Sequence, residues 1–378
     1  MKTILQVLEA TEGGTRRHLR DLVGALDPEE FRCALAVSCR RDPGFAADVA
    51  MYRSRGMSVT ELRMVRGISP LADLTALLAL IRCVRRARPD LIHAHSAKAG
   101  FLARLAGMFC RVPVVYTPHV FSFMMACGAC RRAAYRALER CVRPATAALI
   151  AVSKEEEREA LALRHPRDRV FHIPNGVALA AEGLGNGRHR GRPSSAGGRS
   201  SMSAAVVGFF GRLVLQKGAD VLLAAAVNVA TQFPDARFVF HGDGELADAL
   251  RAKADVLGLA DRVSFAGAYS QADAVGLMRQ TDVVAVPSRW EGCPYVVLEA
   301  FQAGVPVVAS AMEIVQDGLN GLCVPPENPA ALADALLALL RDPDLRRRLA
   351  ERGCVCAAEH TVDAMARAVA GVYRAVLQ

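Results

Sequence analysis

The stretch VVAVPSRWEGCPYVVLEAFQAGVPVVAS, residues 283–310, holds the pattern on which the fold prediction rests. Its two ends are short apolar runs rich in valine, which is typical of buried strands. Between these ends lies a turn and then an apolar segment that predicts a helix beginning near Tyr295. A strand, a helix and a second strand in this order predict a β–α–β unit with parallel strands.

Strands and helices alternate in the same way along most of the chain. Apolar runs such as DLIHAH alternate with amphipathic stretches such as Thr15–Leu26, and later AVVGFFG and RFVFHG alternate with Val221–Gln232. This alternation predicts two Rossmann-like, doubly wound α/β domains with parallel sheets that face a central cleft. Because ligands of such sheets bind at the carboxyl ends of the strands, functional residues are expected directly after strands.

A stretch rich in glycine, serine and arginine separates the two domains. These three residue types make up most of Gly183–Ser203, which shows no apolar periodicity and is typical of a flexible linker. The chain is therefore divided into an N-terminal domain over 1–180, a linker over 181–203, a C-terminal domain over 204–359 and a helix over 360–378 that packs back on the N-terminal domain.

Composition excludes several classes of protein. Of the 378 residues, 52% are hydrophobic and 22% are charged, which is far from the composition of a disordered chain. No apolar run reaches the roughly 18 residues of a membrane span, and the N-terminus lacks a secretory signal, so we expect a cytoplasmic protein. The 11 cysteines are scattered and odd in number, which fits neither a disulfide framework nor a metal site.

The net charge of +9 is concentrated in the N-terminal half. Residues 1–180 carry 28 basic and 17 acidic residues, whereas 204–378 carry 15 and 20. An anionic membrane surface, nucleic acid, or solvent around arginine-rich helix faces would each suit a basic domain. Because this half lacks interleaved aromatic residues that could stack on bases, no nucleic-acid partner is predicted.

Two segments that follow predicted strands could bind an anion. The pair Gly13 and Gly14 opens a helix and lets the backbone approach an anion at the helix N-terminus. The segment GRLVLQKG, residues 211–218, places Arg212 and Lys217 near the start of another helix, where two cations suit a diphosphate leaving group. Neither segment is specific alone, and no GxGxxG motif predicts a dinucleotide cofactor.

Two carboxylates lie in the 283–310 stretch. Glu291 is in the predicted loop and Glu299 in the first turns of the predicted helix. A pair placed in this way can hold two hydroxyl-bearing parts of one ligand.

Taken together and in this order, the motifs resemble family 4 of the retaining glycosyltransferases, which have the two-domain GT-B fold. The resemblance covers nearly the whole chain apart from the linker. It rests on EGG near Gly13, HAHSAKAG at 93–100, YTPHVFSF at 116–123, AVSK at 151–154, IPNG at 173–176, GRLVLQKG, HGDGE at 241–245 and the block at 287–310.

The resemblance implies a diphosphate site in the matching residues. Gly13 and Gly14 would offer backbone N–H groups to the donor diphosphate, and Arg212 with Lys217 would clamp it. Gly242 would lie in the loop beside the base. The C-terminal domain would thus bind the nucleotide sugar.

The resemblance also implies a sugar site. Glu299 would hold the ribose hydroxyls and Glu291 the donor-sugar hydroxyls. Backbone groups of Cys293 and Tyr295 would face the same sugar, and His119 would lie near the reacting carbon.

The N-terminal domain would take the acceptor. His93, His95 and Lys98 either shape the acceptor side or make hydrogen bonds in the core. Both interpretations stay open at this point.

The implied activity is hexosyl transfer with retention, from a nucleotide-diphosphate sugar to a glycan or polyprenyl-linked acceptor in cell-surface polysaccharide synthesis. No cofactor and no metal are implied, because the two cations neutralise the leaving diphosphate. The alternatives are a GT-B epimerase and a donor-binding protein with impaired catalysis. The second alternative rests on a departure from the family, since the loop after Ser310 is several residues shorter than the family loop that borders the donor.

One further prediction concerns residues 119–143. Phe121 and Phe123 precede an arginine-rich helix, which suits peripheral contact with an anionic membrane at the inner face. The alternative is that these aromatic residues belong to the core.

Overall fold

The computed structural model describes residues 1–179, 204–310 and 312–378 of the chain. The linker predicted over 181–203 lies outside these described residues. The strands of each sheet are parallel and helices alternate with them along the chain, which confirms the α/β class.

The chain divides into two compact units. The first combines Met1–Asn175 with Val362–Gln378, and the second is Gly176–Thr361. The chain therefore leaves the first unit, completes the second and returns to the first.

A seven-stranded parallel sheet forms the centre of the first unit. Its strands are β1 (Lys2–Leu8), β2 (Phe31–Val37), β3 (Val59–Glu61), β4 (Leu91–His95), β5 (Val114–Thr117), β6 (Ala148–Ala151) and β7 (Val170–His172). Their order across the sheet is β3-β2-β1-β4-β5-β6-β7. Residues 4–8 of β1 and all of β4 are buried, which is typical of a parallel sheet that is covered on both faces.

Helices cover both faces of this sheet. The first six are α1 (Gly13–Ala25), α2 (Ala46–Ser54), α3 (Pro70–Ala87), α4 (Ala97–Cys110), α5 (Ala129–Val142) and α6 (Lys154–Ala162). Successive side chains of β1 point to opposite faces, so Ile4 and Leu8 join one core cluster and Leu5 and Val7 join another.

A six-stranded parallel sheet forms the centre of the second unit. Its strands are β8 (Val206–Phe210), β9 (Arg237–His241), β10 (Val263–Gly267), β11 (Val283–Val286), β12 (Val307–Ser310) and β13 (Leu322–Val324). Their order is β10-β9-β8-β11-β12-β13. Both sheets therefore reverse their strand order at one point, between β1 and β4 and between β8 and β11.

The helices of the second unit follow its strands. They are α7 (Ala219–Gln232), α8 (Ala247–Val256), α9 (Gln271–Met278), α10 (Tyr295–Ala303), α11 (Pro329–Arg341) and α12 (Pro343–Glu359). The buried faces of α7 and α11 pack in one core cluster with β8 and β9.

A last helix, α13 (Val362–Leu377), belongs to the first unit. Met365, Val369 and Tyr373 are buried in the same core cluster as Ile4 and Leu22. This packing explains why the unit contains two separate stretches of chain. Within the described residues, no helix combines the length and the apolar character needed to span a membrane.

Candidate functional site

The loops after β8 and β11 begin side by side in the second unit. The two strands are hydrogen-bonded neighbours, with Val283 opposite Val207 and Ala285 opposite Phe209. The strand order reverses between them. Ligands of open parallel sheets bind at such a switch point, outside the carboxyl ends of the strands.

An ion pair joins these two loops. Lys217 Nζ lies 2.5 Å from Glu291 Oε1, and Ser288 Oγ donates a hydrogen bond to the same oxygen at 2.9 Å. The side chains of Lys217 and Glu291 are only 20% and 10% exposed, so their attraction is screened less than at an open surface. The structure thus brings together two residues that the sequence analysis selected from distant segments.

Arg289 ties the same loops together, although the sequence analysis did not select it. Its guanidinium donates two hydrogen bonds to the Asp220 carboxylate, at 2.9 and 2.8 Å, and one to Leu215 O at 2.7 Å. The hydrogen bonds between them raise the pKa of Arg289 and lower that of Asp220. A bidentate pair of this kind fixes orientation as well as charge. Its sequence signal was weak, since an arginine in a polar loop is usually solvated.

Two glycines allow the loops to approach closely. Gly218 has φ 69°, and a Cβ at this position would lie 2.0 Å from Pro287 O. Gly242 has φ 145°, and its Cβ would lie 1.8 Å from Gly211 O. Only glycine fits either position without a shift of the backbone. The structure therefore places Gly242, which was predicted near the base, where the loops after β9 and β8 meet.

The other selected residues of the second unit lie around the start of α10 and after β8. Tyr295 is the first residue of α10 and Glu299 lies in its second turn. Cys293, Tyr295 and Glu299 are buried, at 8%, 7% and 6% exposure, whereas Arg212 is exposed directly after β8. Their assignment to a ligand stays a prediction.

Gly13 and Gly14 are the first residues of α1 in the first unit. Gly13 has φ 56°, which glycine adopts readily. The preceding Glu12 does not cap the helix, and Arg41 Nε donates to its carboxylate at 3.2 Å. The helix N-terminus is thus placed near the carboxyl end of β1, as an anion site would require.

Four histidines gather at the carboxyl end of the first sheet. His93 and His95 are on β4, His119 follows β5 and His18 is on α1. The ring nitrogens of His93 lie 2.6 Å from Tyr373 Oη and 2.8 Å from the Thr117 hydroxyl, so this histidine takes part in core hydrogen bonding. Burial lowers the pKa of all four histidines, that of His18 to about 4, and keeps them neutral at pH 7.

His18 was not predicted from the sequence. It lies one helical turn after Gly14, so the i, i+4 spacing places both residues on one side of α1. This spacing was the available signal, but it does not show that the residue reaches the histidines on the strands.

His119 lies in a strained loop. His119 and Val120 have φ 49° and 76°, a region that a β-branched residue rarely adopts. Val120 N donates to the Glu156 carboxylate, which also accepts a hydrogen bond from Val152 N at 3.0 Å. Burial raises the pKa of Glu156 to about 7. Strain of this kind persists where surrounding contacts hold it and is frequent at functional sites.

Lys98 is engaged in an ion pair. Its Nζ lies 2.6 Å from Asp73 Oδ1, and the two side chains are 10% and 19% exposed. The pair joins α4 to α3. Its role on an acceptor side stays a prediction.

The prediction that Phe121 and Phe123 contact a membrane is wrong. Both side chains are buried, at 0% and 2% exposure, and their rings stack with centroids 5.0 Å apart. Arg136 lies over the Phe123 ring and pairs with Glu159 at 2.8 Å. The aromatic residues are therefore core, and at least one of the helix arginines serves packing.

The shortened loop after Ser310 falls partly outside the described residues, because residue 311 is not among them. Directly after it, Val315 N donates to Met312 O at 3.1 Å. The Asn320 side chain accepts from Gln316 N at 2.7 Å and donates to Ile314 O at 3.1 Å. This asparagine holds the described part of the loop in a turn.

Two family models match the chain. The model described as "Glycosyl transferase 4-like domain" matches residues 13–176. The model described as "Glycosyl transferases group 1" matches residues 196–354. The matches include the loops described above in both units.

Individual proteins are similar to the chain over most of its length. A D-inositol 3-phosphate glycosyltransferase of Mycolicibacterium vanbaalenii is 33% identical over 317 residues, which cover 76% of this chain and 67% of the relative. The UDP-Gal:alpha-D-GlcNAc-diphosphoundecaprenol alpha-1,3-galactosyltransferase of Escherichia coli is 28% identical over 288 residues, 74% and 73% of the two chains. The crystal structure of Anabaena HepE with UDP and glucose has a TM-score of 0.78 at 20% identity and covers 99% of this chain and 100% of that one. At that identity the likeness shows the fold.

Proposed function

This chain belongs to the group 1 glycosyltransferases, with a glycosyl transferase 4-like domain before the group 1 domain. On this basis we propose a specific reaction for it. The protein transfers a hexosyl group from a nucleoside-diphosphate sugar to a glycan or polyprenyl-linked acceptor, in cell-surface polysaccharide synthesis. The name of the E. coli relative includes a UDP-sugar and a diphosphoundecaprenol acceptor, which supports this substrate class.

The Lys217–Glu291 pair carries the proposal. It sits at the switch point of the second sheet and joins a cation that suits a diphosphate to a carboxylate that suits sugar hydroxyls. On donor binding, Lys217 exchanges Glu291 for a phosphate oxygen, and Glu291 then accepts hydrogen bonds from the sugar. Before the donor binds, the ion pair holds both side chains close to the positions that they take in the complex, which limits the entropy lost on binding.

Transfer proceeds with retention at the anomeric carbon. The acceptor oxygen forms its bond to that carbon on the face from which the phosphate oxygen departs, and the acceptor proton moves to the departing oxygen. Arg212 and Lys217 stabilise the developing diphosphate charge. His119 lies beside the reacting sugar.

The alternative of an epimerase is not favoured, because both matching family models are transferase models. The experiment incubates the protein with each UDP-hexose, with and without a polyprenyl-diphosphate-linked sugar. We expect UDP release and glycosylated lipid only when both substrates are present, with the anomeric configuration of the donor in the product by NMR. Conversion of the donor without acceptor would indicate the epimerase, and donor binding without any turnover would indicate impaired catalysis.

The reaction needs no divalent cation, since the two side-chain cations supply the charge that Mg²⁺ provides elsewhere. The assay is repeated after dialysis against EDTA. We expect unchanged turnover. Complete loss that Mg²⁺ or Mn²⁺ restores would contradict this part of the proposal.

The lipid-linked acceptor brings the protein to the cytoplasmic face of a membrane, and α3 offers the contact surface. Leu71, Leu74 and Leu78 are 81%, 53% and 44% exposed and share one side of the helix with Arg82 and Arg85. Exposed leucines that continue into arginines suit a surface that lies on anionic headgroups.

Vesicle sedimentation tests this contact. We expect binding to vesicles with anionic lipid, little binding to neutral ones, and release at high salt. Leu71→Ser with Leu74→Ser should reduce binding, whereas Val256→Ser, at an 86% exposed position of the second unit, should not. Equal sedimentation of both variants would remove α3 from the proposal.

A further inference from the structure

Three of the gathered histidines bring ring nitrogens close together. One nitrogen from each of His18, His95 and His119 lies within 4.8 Å of the other two. His95 Nδ1 and His119 Nε2 are 3.3 Å apart. His18 and His95 are 1% and 0% exposed, and His119 is partly exposed, so the group can be reached from the His119 side.

Hydrogen bonds on the outer side fix two of these rings. His18 Nδ1 lies 2.9 Å from Asn175 Oδ1, and an amide oxygen only accepts, so Nδ1 carries the proton and Nε2 the lone pair. His95 Nε2 lies 2.9 Å from Gln6 Oε1, which places the lone pair of His95 on Nδ1. Gln6 is itself oriented, because its amide nitrogen donates to Tyr373 Oη at 3.2 Å.

The outer hydrogen bonds therefore leave lone pairs on His18 Nε2 and His95 Nδ1, and the one on His18 lacks a donor. His119 Nε2–H can donate to His95 Nδ1. His18 Nε2 is buried and has no hydrogen-bond partner within the part of the chain that the structure describes. A buried acceptor without a partner costs roughly 1–3 kcal/mol, so such an atom calls for a ligand.

We propose that His18, His95 and His119 form a binding site for a transition-metal ion of the Zn²⁺ class, with the fourth position open on the exposed side. Three neutral imidazoles with an open position are a known zinc ligand set, and outer amide oxygens that fix the tautomers are the usual support for such ligands.

The distances fit this ion. Tetrahedral zinc with Zn–N distances of about 2.05 Å requires ligand nitrogens about 3.3 Å apart, which is the His95–His119 separation. The His18 nitrogen lies within 4.8 Å of the other two, so it needs to approach by at most about 1.5 Å. Imidazole ligands favour zinc, cobalt, nickel or copper over Mg²⁺ and Mn²⁺, so this site is separate from any requirement for those ions.

Metal titration of the full chain tests the site. Metal-free protein in TCEP is titrated with Zn²⁺ against a chromophoric chelator, for wild type, His18→Asn, His119→Asn and His165→Asn. His165 is the matched control, as a buried histidine of the same unit outside the group. We expect wild type and His165→Asn to bind one equivalent more than the other two variants, and zinc to raise Tm only where that equivalent binds.

Free cysteines need a separate readout, since Cys356 Sγ lies 3.7 Å from His360 Nδ1 and could also hold zinc. Co²⁺ replaces Zn²⁺ in a second titration, where a tetrahedral visible spectrum without a thiolate charge-transfer band is expected and is lost in His18→Asn. A thiolate band, or equal stoichiometry in wild type, His18→Asn and His119→Asn, would overturn the proposal. Because both His18→Asn and His119→Asn are measured, the test still gives an answer if one of them fails to fold.

The effect on turnover rests on the proposed function, whereas metal binding does not. Because His119 is assigned to the reacting sugar, a bound ion should reduce transfer at least tenfold, and EDTA should reverse this. Binding of zinc without inhibition would leave the metal site intact and remove His119 from the sugar. Loss of turnover in His18→Asn without any zinc equivalent in wild type would show that the lone pairs serve a hydroxyl, and the metal site would be wrong.

Discussion

The two units place their candidate functional loops at equivalent positions of their sheets but build them in different ways. In the loops after β8 and β9 of the second unit, glycines such as Gly218 and Gly242 have positive φ, and charged side chains meet in partly exposed ion pairs. In the first unit, Ser96, His119 and Val120 have positive φ, and the polar groups are neutral, buried imidazoles. The comparison teaches that a shared topology fixes where a site lies, while its chemistry sets whether the backbone is relaxed or strained.

The charge difference follows from the same physics. An ionised lysine costs free energy in a dry interior, and Lys217 keeps partial exposure and an acidic partner. A neutral imidazole has no such cost if its nitrogens are hydrogen-bonded. His93 and His95 can therefore lie fully inside the first unit.

The largest expected effect concerns the charged site of the second unit. Lys217→Ala, Glu291→Ala and Arg212→Ala should each reduce turnover by about 10²–10³, because each removes a contact to developing charge or to the donor. Lys253→Ala, an exposed lysine of α8, is the control and should leave turnover unchanged. Near-normal turnover of all three purified variants would mean that the site lies elsewhere.

The neutral histidines of the first unit should make it sensitive to acid. Burial lowers the pKa of His165 to about 4. In the unfolded chain this imidazole has a pKa of about 6.5. The stability that the neutral imidazole contributes is therefore present above pH 6.5 and is lost as the pH falls toward 4.

Urea unfolding at pH 8 and at pH 4 measures this effect. Between these pH values, the free energy of unfolding should fall by about 3 kcal/mol less in His165→Gln than in wild type. Hydrogen exchange at pH 5 should show first-unit amides opening before second-unit amides. An unchanged pH slope in the variant would show that this histidine does not carry the effect.

The relaxed backbone of the second unit depends on its glycines. Gly242→Ala should destabilise the protein by about 2–3 kcal/mol, because its Cβ would overlap Gly211 O. Gly276→Ala is the matched control, since this helical glycine has nothing within 4 Å of its Cβ and alanine favours a helix. Equal Tm values for the two variants would contradict the close approach of the loops.

The strained backbone of the first unit predicts the smallest effect, of opposite sign. Ser96 has φ 74° and ψ 159°, a conformation that suits glycine. Ser96→Gly should stabilise the protein by about 1 kcal/mol. Ser264→Gly on β10 should instead destabilise it slightly, because glycine weakens a strand. A loss of stability in Ser96→Gly would show that the serine side chain contributes more than the strain costs.

The sequence predicted the fold better than it predicted the site. Periodicity predicted both sheets, since it reports local burial, and motif positions after strands identified loops such as those of Lys217 and Glu291. The contact between these two residues was not predictable, because it depends on how two loops 74 positions apart meet at one sheet edge.

Burial depth was the other quantity that the sequence left open. The pattern around Phe121 and Phe123 was equally consistent with a membrane surface and with a core, and packing against neighbouring elements decided it. His18 was missed for the same reason, since helical spacing gives the side of α1 but not the distance to β4.

The return of α13 to the first unit has a consequence for biosynthesis. The ribosome delivers the whole of Gly176–Thr361 before it delivers Val362–Gln378, so the second unit can fold while the first still lacks a helix. During that interval the apolar surface that Met365 and Val369 later cover is open, and His93 has no tyrosine to bond. The nascent first unit is therefore the species on which chaperones would act, and it matures last although it is made first.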